Sequence, residues 1–94
     1  MKVEFTGPSR RRLQEIRTYI ARDNPRAAER VADRIIYAAE MLGDFPKLGT
    51  PWRGGGTRAL VVPGIPYRIH YDIVGETVRI LLIVHTSQKP PTRF

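Results

Sequence analysis

Apolar and polar residues follow two rhythms, a period of two at both ends of the chain and a period of three to four between them. Val3 and Phe5 alternate with Lys2, Glu4 and Thr6, which predicts a short half-buried strand stopped by Gly7-Pro8. Leu13, Ile16 and Ile20 then recur at the spacing of one helical face, so a first helix is expected from Pro8 to about Arg22. Asp23-Asn24-Pro25 interrupts it. Asn24 can cap with its side-chain oxygen, and Pro25 suits a first helical position, where no N–H is needed. Ala28, Val31, Ile35, Ala38 and Leu42, widened by Ala32, Ile36 and Ala39, carry a second helix to Gly43. So short a turn makes the two helices an antiparallel hairpin.

The stretch DFPKLGTPWRGGG, Asp44 to Gly56, shows neither period and reads as a loop. After it, Thr57 to Val62, Tyr67 to Ile73 and Thr77 to His85 read as a three-stranded antiparallel meander, turning at Pro63-Gly64 and near Val74-Gly75-Glu76. Leu81, Leu82, Ile83 and Val84 are apolar on both faces, which places the last strand inside the sheet. The expected fold is α+β: an N-terminal strand and an antiparallel helical hairpin packed on a four-stranded, mainly antiparallel sheet, the first strand lying beside the last. Residues 1–88 are expected to form one domain and residues 89–94 a C-terminal tail.

Composition adds a charge and removes several chemistries. The chain has 94 residues, sized for a single core, and its sixteen Lys and Arg against nine acids give a formal charge of +7. Such a field implies an acidic partner, and its arginine excess favours forked contacts to phosphates or carboxylates. With no cysteine there are no disulfides and no thiolate metal sites, which points to the cytoplasm. Met1 to Glu4 lacks the apolar run of a signal peptide, and no stretch of about 18 apolar residues occurs to span a membrane.

Candidate chemistry is sparse. Arg53-Gly54-Gly55-Gly56 lacks the preceding strand and following helix of a phosphate cradle, and no cofactor is expected. His70 and His85 lie on neighbouring strands, but no carboxylate sits at ligand spacing, so no metal is expected. Ser9 and Ser87 stand near element ends and read as caps. Phosphodiester cleavage is the one serious catalytic option: Arg58 and Arg68 could neutralise a phosphate while His70 and His85 move a proton. Against it, Arg68, His70 and Asp72 occupy alternate positions of one strand, the pattern of any sheet face that meets water. Trp52, beside Arg53, could stack on a nucleobase or plug the end of the core.

The segments VEFTGPSRRRLQEIRTYI, NPRAAERVADRIIYAAEMLGDFPKLGTP, TRALVVPGIPYRIHYDI and VRILLIVH occur in that order, and the arrangement from Lys2 to about Gln88 resembles the ParE/RelE toxin superfamily of bacterial toxin-antitoxin systems. The resemblance implies a small basic toxin held inactive by an acidic, partly disordered antitoxin. RelE-like members cut messenger RNA in the ribosome, with lysines on the first meander strand, an arginine on the second, and an arginine and tyrosine at the C-terminus. Arg68 matches the second-strand arginine. The lysine positions fall around Ala59 and Val61, or at Arg58 with a register slip of one, and the C-terminal arginine position falls near Ser87. The closing His85 is similar to the ParE-like branch, whose members inhibit DNA gyrase by binding and need no catalytic residues. On that branch Arg10, Arg11, Arg12, Leu13 and Arg17 are expected to meet the antitoxin, and Trp52, Arg53, Arg68, His85 and Lys89 the target. A ribosome-dependent endoribonuclease using Arg58, Arg68, His70 and His85 is the alternative, and a non-toxic nucleic-acid-binding module a further one.

Overall fold

Both helices begin at the side-chain caps that the local sequence offers. In the computed structural model, which describes residues 1–87, strand β1 (Lys2–Phe5) leads into helix α1 (Gly7–Ala21) and helix α2 (Pro25–Asp44). Thr6 caps α1 by accepting from the Ser9 N–H, and Asn24 caps α2 by accepting from the Ala27 N–H at 3.1 Å. Each cap is followed by a proline in the first turn, where its missing donor loses no helical bond. Among the described residues no helix is long and apolar enough to cross a membrane.

Strands β2 (Thr50–Trp52), β3 (Thr57–Val61), β4 (Tyr67–Val74) and β5 (Thr77–His85) follow, and the sheet order is β1-β5-β4-β3-β2. β1 runs parallel to β5 and the other pairs are antiparallel. The expected α+β layering, the hairpin and the placement of the first strand beside the last all hold. The sheet has five strands rather than four, because the segment read as loop contains β2. Three residues including Pro51 give no period to detect, and proline is tolerated there because β2 is an edge strand.

One face of the sheet packs on the helices. Tyr67, Ile69, Tyr71, Val78, Ile80 and Ile83 meet Ile16, Ile35, Ala38, Ala39 and Leu42 in a single core. The register of β4 on β5 slips once: His70 pairs with Leu82 but Tyr71 with Ile80, so Leu81 is an extra residue, a β-bulge. At this bulge β1 has already ended, and the Thr6 cap and helix α1 donate to β5 instead. Thr6 Oγ1 donates to the Ile80 carbonyl at 2.8 Å, and Arg12 Nε donates to the Ile83 carbonyl at 3.2 Å.

The segment before β2 is pinned by a buried tyrosine. The Tyr71 hydroxyl donates to the Pro46 carbonyl at 2.7 Å and accepts from the Gly49 N–H at 3.0 Å. A Cβ on Gly49 would sit 2.7 Å from that hydroxyl and 2.8 Å from the Ala59 carbonyl oxygen, so only glycine fits this close approach.

Candidate functional site

The face of the sheet turned away from the helices carries the side chains that the sequence singles out, arranged differently from the water-facing stripe expected of them. Arg68 and His70 alternate with Tyr67, Ile69 and Tyr71 and therefore point away from the core. Yet His70 is 0% exposed and Arg68 only 9% exposed. The expectation of a wet face is corrected here, and the reason is Trp52. Its position opposite Thr57 on β3 puts it on this same face, where its ring meets the His70 ring edge-on at 4.9 Å between centroids. Trp52 is thus neither a free loop residue nor a plug in the helix-facing core; it covers the second face.

Under this cover Arg68 and His70 are bonded to each other. Arg68 Nε donates to His70 Nε2 at 2.8 Å, and because a guanidinium can only donate, the imidazole must be neutral with its proton on Nδ1. Burial, and then the adjacent Arg68 charge, lower the His70 pKa to about 4. The guanidinium of Arg68 lies 5.2 Å from the Trp52 ring and that of Arg53 5.1 Å from it, so two cations address one indole. Farther along the same face Asp72 is gripped by Arg79 through two parallel bonds of 2.9 and 2.6 Å, which hold the Arg79 pKa above its ordinary value.

The other candidates stand elsewhere. His85 pairs with Tyr67, so it lies on the helix-facing side, opposite to His70; the two histidines do not share a face. Its ring stands edge-on to Tyr67 at 5.1 Å, and its Nδ1 accepts from the Ser87 N–H at 3.1 Å. Burial raises the Tyr67 pKa, and the nearby Arg12 charge partly offsets that. Arg58 pairs with Tyr71, also on the helix side, and donates to the Gly49 and Lys47 carbonyls at 3.0 and 3.3 Å. Arg58, Arg68, His70 and His85 therefore do not converge. No solvent-accessible position lets Arg68 hold a phosphate while both histidines reach it.

On α1, Arg10, Leu13 and Arg17 line an open cleft with Lys2, Val3 and Phe5 of the edge strand β1. Arg17 also pairs with Glu29 at 3.4 Å, and Arg12 is drawn toward β5 by its bond to Ile83. Arg11 is exposed beside that cleft. Lys89 lies outside the described residues. Among the described residues no three His, Cys, Asp or Glu side chains gather as metal ligands would. What sequence reasoning missed is the pairing of Trp52 with Arg68 and His70. No periodic signal announces it, because β2 is only three residues long and includes Pro51.

Residues 3–90 match the family described as ParE toxin of type II toxin-antitoxin system, parDE. "Putative toxin Y4kP" of Sinorhizobium fredii is 42% identical over 90 residues, spanning 96% of this chain and 93% of that protein. "Toxin RelE2" of Caulobacter vibrioides is 36% identical over 76 residues, spanning 81% of this chain and 84% of that protein. A solved structure described as the chromosomal ParDE TA system from P. aeruginosa superposes with a TM-score of 0.81, covering 93% of this chain and 97% of that one at 21% identity, a likeness of fold.

Proposed function

Because the chain belongs to the ParE toxin family of type II toxin-antitoxin systems, we propose that it acts by docking onto DNA gyrase, without chemistry of its own, until a cognate acidic antitoxin covers it. The observation that carries this reading is the scatter of the groups a nuclease would need. His70 is buried, neutral and bonded to Arg68, while Arg58 and His85 lie on the opposite face. A general acid and base must both be within hydrogen-bond reach of the reacting phosphate, and the pair that does touch, Arg68 and His70, is buried and bonded to itself. Docking needs no such convergence: of the residues expected to meet the target, Trp52 and Arg53 stand together at the β2–β3 corner over the buried Arg68, and His85 lies on the opposite face.

For the antitoxin, the cleft between β1 and α1 is the proposed seat. Its apolar floor of Val3, Phe5 and Leu13 is rimmed by Arg10 and Arg17, with Arg11 and Arg12 on the same helix, and β1 presents an outer sheet edge. That combination suits an acidic amphipathic helix followed by an added strand. The domain acts as one body over residues 1–88, in the cytoplasm.

The similarity to a protein named toxin RelE2 favours a second reading, ribosome-dependent cleavage of messenger RNA. Inducing the chain alone in cells while following a DNA-damage reporter and transcript integrity separates the two. Gyrase docking predicts growth arrest with the reporter induced and transcripts intact, relieved by co-expressing the neighbouring acidic protein. Transcripts cut within their coding regions while the reporter stays silent would establish the nuclease instead.

A further inference from the structure

The hairpin joining β2 to β3 holds an arginine in a conformation that arginine disfavours. Arg53 has φ +49° and Gly54 φ +68°, and the Gly55 N–H closes the turn onto the Trp52 carbonyl at 3.3 Å. Two consecutive positive φ values mark a type I′ turn, whose first central position is normally Asn, Asp or Gly. Such strain persists where the surroundings hold it, and it points to function when an observed outlier coincides with a chemical group. Here that group is the Arg53 guanidinium, laid 5.1 Å from the Trp52 ring, on an exposed turn with open space around Gly54, Gly55 and Gly56.

Charge along this part of the chain is one-sided. Between Asp44 and Asp72 the sequence has no acidic residue, while Lys47, Arg53, Arg58 and Arg68 fall within it. Among the described residues neither Arg53 nor Arg68 has a carboxylate in ion-pair range. Asp72, one step beyond Tyr71 on β4 and on the same face as Trp52, is taken up by Arg79, so the β2–β3 corner keeps a positive excess, with Arg68 lending its field from beneath the indole and Arg53 presenting its N–H fork to solvent.

We propose that the β2–β3 hairpin is a DNA-backbone contact, in which Arg53 forks onto phosphate oxygens and Trp52 is the positioning residue that holds the guanidinium outward. The inference rests on the gyrase reading in one respect: the DNA would be the segment that the enzyme holds. A fork on a rigid aromatic support suits phosphate, whose oxygens accept two parallel N–H bonds, and the positive excess of the corner supplies the long-range attraction. A contact to the backbone alone predicts an affinity that does not vary with base sequence.

Trp52 is the one tryptophan of the chain, so its emission reports this corner directly. Titrating the purified protein with a short DNA duplex at low salt is expected to change Trp52 emission, with an affinity that falls steeply as salt rises. Arg53→Asn places a residue suited to positive φ at the turn, so its thermal midpoint should equal or exceed that of the parent. Its DNA affinity should nevertheless drop about three- to tenfold, and its salt slope shrink by about one; Arg53→Lys should recover part of the affinity but not all. An unchanged emission on DNA addition, or an Arg53→Asn variant with undiminished affinity and slope, would overturn the proposal. So would a polyglutamate titration matching DNA at equal charge, which would make the corner a seat for acidic protein. Gyrase supercoiling run beside these titrations keeps the two readings apart. DNA contact at Trp52 without gyrase inhibition would leave the hairpin standing and remove the gyrase reading, whereas inhibition without DNA contact would do the reverse.

Discussion

Replacing Ile80 by alanine is expected to destabilise the fold by about 2–5 kcal/mol, read as a lowered urea midpoint with an unchanged m-value. Ile80 is fully buried, pairs with Phe5 of β1 on one side and Tyr71 of β4 on the other, and lies in the core beneath the helices. Its backbone carbonyl accepts from both the N–H and the hydroxyl of Thr6, so the surrounding chain is held and cannot collapse into the space the side chain leaves. A domain of this length is stable by only about 5–14 kcal/mol, so the loss would be a large fraction of the whole. Ile80→Val should cost about 0.5–1.5 kcal/mol. An alanine variant within about 0.5 kcal/mol of the parent would contradict the placement of β5 as the spine of the core.

The second large effect concerns acid. His70 titrates near 4 in the folded chain against 6.5 for an ordinary histidine, because burial and then Arg68 oppose its charge. The unfolded chain therefore takes up this proton first. Stability conferred by neutral His70 is intact above pH 6.5 and is lost as pH falls from 6.5 toward 4. The total loss is on the order of 3 kcal/mol, and most of it falls between about pH 6 and 4.5. His70→Gln keeps an acceptor for the Arg68 Nε and cannot take the proton. Its unfolding midpoint should therefore be nearly flat with pH between 7 and about 5, where carboxylates have scarcely begun to titrate. The same acid slope in His70→Gln and in the parent would remove the buried neutral imidazole from the explanation. Arg68→Ala is expected to weaken the fold as well, since it takes away a buried partner of His70, and a loss of toxicity in that variant is no sign of catalysis.

Helices and long strands were legible because their apolar residues keep a period and their ends carry Asn24-Pro25, Gly7-Pro8 and Gly43 as punctuation. The last strand was placed inside the sheet from four consecutive apolar residues, Leu81 to Val84, and it is β5, flanked by β1 and β4. The three residues of β2 escaped notice because a period of two cannot be counted over Thr50-Pro51-Trp52. That single omission hid the site. A period-two strand says that two faces differ in character, and only the partner across the sheet decides whether the polar face is wet. With β2 assigned to a loop, nothing in the sequence could bring Trp52 over His70 and Arg68. The strained turn at Arg53 was equally invisible, because Arg-Gly is not among the dipeptides that announce a type I′ turn.

Docking in place of chemistry is tested most directly on purified components: gyrase relaxing and supercoiling plasmid DNA in the presence of increasing amounts of this chain, with cleaved DNA scored in the same reactions. A docking toxin predicts supercoiling lost and gyrase-bound cleaved DNA accumulating, both reversed by the acidic antitoxin and both retained in His70→Gln. Full supercoiling with no cleaved DNA at every achievable dose of folded protein would contradict it.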